Sequence, residues 1–245
     1  MKKTIVLLIV LAVFACKDKP KETEVVSEVA EEETMENEWI TLFDGSSFEG
    51  WHFYGAGAMG EPWKLEDGAM VFYPPAERPQ GASYNIVTDQ EFENFVLSLE
   101  WRIAANGNSG IFWGVFEDEK YGQPYETGPE IQVLDNMGHP DAKNGPNRQA
   151  GALYDMVAPA EDVTNPAGEW NTVELTINHK TNEGSVVQNG TKIIEFAVNG
   201  DAWNAMVADS KFATWEGFGN YPLGKIGLQD HGDIVSYRNI KIKKL

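Results

Sequence analysis

The sequence predicts an all-β fold of two packed antiparallel sheets, and three observations carry that expectation. From Phe95 to Ile103 the apolar residues Phe95, Leu97, Leu99, Trp101 and Ile103 alternate with mostly polar ones, the period-2 pattern of a strand with one buried face. Beyond Trp39, apolar runs recur between Gly, Asn, Asp and Pro clusters, and almost no stretch keeps helical spacing over three turns. The 245 residues include 24 Gly, 12 Pro and 11% aromatics, a composition suited to short strands joined by tight turns.

In chain order, Met1-Lys2-Lys3 gives a short basic start and Ile5 to Phe14 an unbroken apolar run, long enough for a signal-peptide core but too short to span a bilayer. Val13-Phe14-Ala15-Cys16 resembles a bacterial lipoprotein box. Residues 1–16 are therefore expected to be a lipoprotein signal peptide, with Cys16 as the acylated anchor of an exported protein held in the periplasm or at the outer membrane or cell surface. Lys17 to Glu38 is dominated by Glu and has no aromatic residue, so it cannot bury enough apolar area to offset its ordering entropy. It reads as an acidic disordered tether to a domain at residues 39–245.

Within that domain, the strand over Phe95 to Ile103 is followed by a polar break at Ala104 to Ser109 and an aromatic strand, Gly110 to Phe116. The two are expected to pair as a hairpin. Val173 to Asn178, Gly184 to Gln188 and Thr191 to Val198 form a meander in which Asn189-Gly190 supplies the positive backbone angles of a two-residue turn. The one helical segment lies at Asp201 to Lys211, with Trp203, Met206 and Val207 on one side. Lys225 to Gln229 and Ile234 to Ile242 close the chain as strands.

Charge and motifs narrow the chemistry. The net charge of −19 repels phosphate backbones and anionic lipid, so nucleic acid is not an expected partner, and the membrane is expected to be met through the lipid anchor alone. One cysteine excludes an intramolecular disulfide framework. No zinc-protease, EF-hand, phosphate-loop or serine-hydrolase motif is present, so no cofactor is identifiable. A lone divalent cation held by scattered carboxylates stays open.

Glu130-Ile131-Gln132-Val133-Leu134-Asp135 is the most informative segment. In a regular strand the two carboxylates point apart, and a bulge after Gln132 would bring Asp135 onto the face of Glu130. The spacing is similar to the Glu-x-Asp-x-x-Glu strand of laminarinase-type glycoside hydrolases, with the central Asp and second Glu changed. Asn108-Ser109-Gly110, His139-Pro140-Asp141, Tyr154-Asp155 and Gln229-Asp230-His231-Gly232 each stand where a strand meets a loop, the usual place for site residues on a sandwich. His52 and His179 lack such neighbours and read as structural or surface positions.

Taken together, Trp39-Ile-Thr-Leu-Phe-Asp44-Gly45 with Trp51, Asn108-Ser-Gly-Ile-Phe112, Pro129-Glu-Ile-Gln-Val-Leu-Asp-Asn136, Gly151-Ala-Leu-Tyr154, Gly168-Glu-Trp-Asn171, Ile226-Gly-Leu-Gln-Asp-His-Gly232 and Tyr237-Arg-Asn-Ile240 resemble the bacterial 3-keto-disaccharide hydrolase family. The resemblance covers residues 39–243 and implies a concanavalin A-like jelly-roll sandwich acting on glycosides already oxidised at sugar carbon 3. A ketone there acidifies the hydrogen on carbon 2, so a base can remove it while the aglycone leaves carbon 1. Water then adds back, or the unsaturated sugar departs as a lyase product. For such a reaction His231 is the expected base and Glu130 or Asp135 the acid, while Gln132, Asn108 and Tyr154 would hold sugar hydroxyls or the enolate oxygen. His139 and Asp230 join them as expected substrate contacts. The alternative is a carbohydrate-binding sandwich with no catalysis.

Overall fold

The computed structural model describes residues 38–245; the expected leader, the Cys16 anchor and nearly all of the acidic tether lie outside the described residues. Fourteen strands follow one another among the described residues. The first seven are β1 (Ile40–Phe43), β2 (Trp51–Phe53), β3 (Gly57–Ala58), β4 (Trp63–Glu66), β5 (Ala69–Phe72), β6 (Ile86–Phe92) and β7 (Phe95–Ile103). The others are β8 (Asn108–Val115), β9 (Glu130–Leu134), β10 (Asn171–Asn178), β11 (Glu183–Gln188), β12 (Thr191–Phe196), β13 (Gly224–Leu228) and β14 (Val235–Lys244). They form two antiparallel sheets: an eight-stranded one ordered β12-β11-β10-β7-β14-β5-β4 with β1 on β14, and a six-stranded one ordered β3-β2-β6-β13-β8-β9.

The alternation over Phe95–Ile103 is realised without a break, every odd position being buried. The meander β10-β11-β12 forms as expected, with Asn189 and Gly190 at φ 49° and 84° in the turn. Strands β7 and β8, however, do not form a hairpin. β7 pairs with β10 and β14 in the larger sheet, and β8 pairs with β13 and β9 in the smaller. The reason lies in the two apolar faces, since Leu97, Leu99 and Trp101 on β7 and Ile111 and Trp113 on β8 all join the same core. The chain crosses between the layers through a turn that needs Asn106 at φ 59° and no side chain at Gly107, whose Cβ would lie 2.7 Å from Ile103 Cγ1.

Five of the eight tryptophans (Trp51, Trp63, Trp101, Trp113 and Trp203) are buried. One polar tie crosses the core: Ser109 Oγ on β8 donates to Gln229 O at 2.6 Å and lies 2.8 Å from the hydroxyl of Tyr237 on β14. Because both hydroxyls are fully buried and paired, this bond fixes how the layers stack beneath the site.

Helix α1 (Gly200–Ala208) buries Trp203 against the core. The loop after it is held by aromatic stacking: the rings of Phe212 and Phe218 are 3.9 Å apart, and Trp215 meets Phe212 edge-on at 5.1 Å. This anchoring fixes the position of Lys211.

Candidate functional site

Alternation on the smaller sheet produces the site. On β8 and β9, Ile111, Trp113, Ile131 and Val133 face the core, so Asn108, Gly110, Glu130 and Gln132 face the other way. There Asn108, Glu130 and Gln132 floor a cavity of about 520 Å³, within the size range of small-molecule sites. Tyr154 and Lys211 form one wall, while Arg78, Asp230 and His231 stand at another. Tyr125 and Trp215 give it an aromatic border.

Glu130 is 8% exposed, and among the described residues no hydrogen bond or ion pair holds its carboxyl. Burial pushes its pKa up to about 8; the positive charge of Lys211 opposes the shift and the negative charge of Asp141 adds to it. Its carboxyl lies above Gly110, where a Cβ would come within 2.6 Å of Glu130 Cδ. The strand thus holds a carboxylic acid that keeps its proton at neutral pH.

His231 follows β13, exposed at the cavity edge, with Asn108 Nδ2 3.4 Å from its Nε2. Desolvation lowers its pKa, opposed by the charge of Asp233, so the neutral imidazole dominates near pH 7. The neighbouring Asp230 is almost fully buried. It accepts from Arg78 Nη2 at 2.7 Å and from the Tyr84 amide, and burial raises its pKa against the Arg78 charge.

Behind the opposite wall, Tyr154 donates to Asp141 Oδ2 at 2.9 Å and accepts from Arg148 Nη1 at 2.8 Å. Arg148 also donates to Asp155 Oδ1 at 2.6 Å, and the other Asp155 oxygen accepts the Lys211 backbone N–H at 2.7 Å. Burial alone would raise the Asp141 pKa, but the hydrogen bonds from Asn144 and Tyr154 and the charge of Arg148 prevail and lower it. Burial raises the Tyr154 phenol well above its ordinary value, reinforced by its bond to Asp141.

Six of the eight expected site residues (Glu130, Gln132, Asn108, Tyr154, Asp230 and His231) line the cavity. Asp135 does not. No bulge interrupts β9, whose pairing with β8 runs continuously from Asn108↔Leu134 to Phe112↔Glu130. The Asp135 carboxylate instead accepts the backbone N–H of Asn106 at 2.8 Å and of Met137 at 3.1 Å, bracing two turns. His139 also stays behind the wall: its Nδ1 accepts the Asp141 N–H at 3.1 Å, and its ring meets that of His231 edge-on with centroids 6.2 Å apart.

Lys211, Arg148 and Arg78 were not legible in the sequence: Lys211 ends the expected helical segment, while Arg148 and Arg78 stand in polar stretches, Arg78 being 152 positions from Asp230. His52, read as a structural or surface position, lies on β2 between two carboxylates, with Asp89 at 2.5 Å and Glu117 at 2.8 Å. His179 Nε2 is buried without a partner. Among the described residues, no group of three or more His, Cys, Asp or Glu is placed to hold a metal ion.

Comparison with known proteins places the chain. The model of the 3-keto-alpha-glucoside-1,2-lyase-like domain matches residues 38–243. A curated relative from Bacteroides thetaiotaomicron, named 3-keto-disaccharide hydrolase, is 37% identical over 235 residues, covering 84% of this chain and 78% of the relative. A crystal structure of a candidate glycosyl hydrolase from Parabacteroides distasonis superposes with a TM-score of 0.77 at 33% identity, covering 88% of this chain and 97% of that one. A Bacillus subtilis protein with a galectin-like fold, at 13% identity and a TM-score of 0.53 over 84% and 94% of the two chains, shares the sandwich fold. By the reach of the family model and the identity to its relatives, this chain belongs to the 3-keto-alpha-glucoside-1,2-lyase-like domain family.

Proposed function

We propose that the protein cleaves glycosides whose sugar is already a ketone at carbon 3, by elimination across carbons 1 and 2 followed by water addition or product release. The observation that carries this reading is the pairing, in one cavity, of a carboxylic acid with its pKa pushed up to about 8 and a histidine with its pKa pushed down. At neutral pH that gives a proton donor and a proton acceptor, each in the form its task needs.

In the proposed step His231 takes the hydrogen from carbon 2. The electron pair is held as an enolate with its charge on the carbon 3 oxygen, then forms the carbon 1–carbon 2 double bond as the carbon 1–oxygen bond breaks. Glu130 gives its proton to the departing oxygen. Three cavity residues, Asn108, Gln132 and Gln229, carry buried amide oxygens without a hydrogen-bond partner, acceptors suited to the hydroxyls of a sugar. A retaining displacement would instead need two carboxyls about 5–5.5 Å apart. The second carboxylate of the β9 segment, Asp135, braces turns outside the cavity and is not available for it.

The test is incubation of the protein with matched glucosides that differ only by the 3-keto group, with and without chelator, read by mass spectrometry. Cleavage of the keto form alone supports the proposal, and one water of mass separates hydrolase from lyase. Binding of both forms without cleavage would favour a carbohydrate-binding module. We also propose that Cys16 is acylated and tethers the domain to a membrane; labelling with a palmitate analogue, lost in Cys16→Ala, tests it.

A further inference from the structure

We propose that Lys211 is the cation that receives the negative charge developing on the carbon 3 oxygen, and so is the residue that makes the site select a ketone over a hydroxyl. This rests on the elimination reading above and adds to it the group that reaction still lacks.

Taking a proton from carbon 2 leaves an enolate whose charge sits on the carbon 3 oxygen, and a base and an acid alone do not stabilise it. Preorganised donors or cations at such an oxygen supply a large share of catalysis in a site shielded from water. The groups first considered for this task are otherwise engaged. The Tyr154 hydroxyl donates its only proton to Asp141, and the Gln132 amide N–H₂ donates to Arg148 O at 3.3 Å. The amides of Asn108 and Gln229, whose oxygens stand without a partner, are neutral dipoles and bring no full positive charge to the enolate.

Two cations line the cavity. Arg78 is spent on Asp230 at 2.7 Å and on Ala82 O at 2.9 and 3.0 Å. Lys211 has no carboxylate within 4 Å of its Nζ among the described residues, although the chain carries twice as many acidic as basic side chains. Its ammonium instead rests 4.1 Å from the Tyr154 ring centroid and 5.0 Å from that of Phe212, which hold it electrostatically without neutralising it. The backbone at 211 is pinned by Asp155, and that carboxylate is itself clamped by Arg148. The structure therefore spends an Arg–Asp pair and two aromatic rings on placing a charge that no protein anion consumes. The positive charge of Lys211 also acts on Glu130, so the same cavity holds both the acid for the leaving oxygen and the cation for the ketone oxygen.

The test compares Lys211→Met and Lys211→Arg with the unmodified protein on a 3-keto-glucoside, following kcat and KM, with folding checked by thermal melting. The expected result is a fall in kcat of about 10²-fold or more in the Met variant, with KM changed far less, and partial recovery in the Arg variant, which keeps the charge. Treatment with borohydride during turnover is expected to leave the mass of the protein unchanged. Retention of kcat in Lys211→Met overturns the proposal, as does a borohydride-trapped adduct on Lys211, which would make it a covalent nucleophile. If the unmodified protein cleaves no keto-glycoside, the functional reading itself fails, an outcome distinct from either.

Discussion

The carboxyl of Glu130 lies over Gly110, occupying the space that a side chain at that position would need. The two residues belong to neighbouring strands in unbroken register, so the acid is positioned by the sheet itself rather than by a hydrogen bond. A site on paired strands is held more tightly than one on loops. The consequence is that the smallest possible side chain on β8 becomes a requirement for the chemistry on β9.

Gly110→Ala is therefore expected to push the Glu130 carboxyl aside and lower kcat at least tenfold, while thermal melting shows only a modest loss of stability, because the displaced group is the end of a flexible side chain. Unchanged kcat would mean that the carboxyl is free to work from elsewhere.

Glu130 also sets a pH dependence. With its folded pKa raised to about 8 from an ordinary 4.5, the folded state holds a proton that the unfolded chain releases between those values. Stability is highest below pH 4.5 with respect to this group, falls as pH rises through the window, and levels off above 8. Glu130→Gln should be more stable than the unmodified protein at pH 8, by an amount on the order of a few kcal/mol, and nearly equal to it at pH 4. Denaturant titrations at the two pH values measure the difference. The same substitution should cost most of the activity.

For catalysis, the proton-holding acid and the neutral histidine give a bell-shaped rate profile. The rate should rise with pH below 6.5 as His231 loses its proton and decline above about 8 as Glu130 loses its own. In His231→Ala the acid-side limb is expected to disappear together with most of kcat, and a pH–rate series on both proteins checks this.

Asp135→Ala is expected to divide stability from activity. It removes the acceptor for two backbone N–H groups, at Asn106 and Met137, at a cost of about 1–3 kcal/mol, and leaves kcat within about twofold below the melting transition. A large loss of kcat in a folded Asp135→Ala protein would return that carboxylate to the chemistry.

Tyr154→Phe removes the hydroxyl between Arg148 and Asp141 but keeps the ring beneath Lys211. A stability loss of about 1–2 kcal/mol is expected, with kcat reduced severalfold by the loosened wall rather than abolished. Thermal melts and steady-state kinetics on the same preparation read both.

Much of this architecture was legible from local pattern. The period-2 alternation of Phe95–Ile103 and the Asn189-Gly190 turn each specify their own geometry within a few residues, and both formed as expected. The hairpin expected between β7 and β8 did not, because two consecutive strands with apolar faces can meet side by side or across a core. Their sequence carries no sign of which. Glu130, Gln132 and Asn108 could be found because strand alternation puts them on one face beside chemically suggestive neighbours. Lys211 could not, since its place depends on the packing of Phe212, Trp215 and Phe218 and on Asp155, 56 positions earlier in the chain. Asp135 was drawn toward the site by a spacing that needed a bulge, and the continuous β8–β9 register removed it.

The central claim is that the glycosidic bond breaks by elimination, with the hydrogen on carbon 2 leaving first. The measurement that tests it most directly is turnover of a 3-keto-glucoside in deuterated water, with the released sugar examined by NMR and mass spectrometry beside an enzyme-free control of the same product. If cleavage proceeds to the hydrated sugar, one deuterium should appear at carbon 2, at the rate of cleavage and above the control; if the unsaturated sugar is released, carbon 2 carries no hydrogen at all. Cleavage that keeps the original hydrogen on carbon 2 would contradict elimination and point to direct displacement at carbon 1.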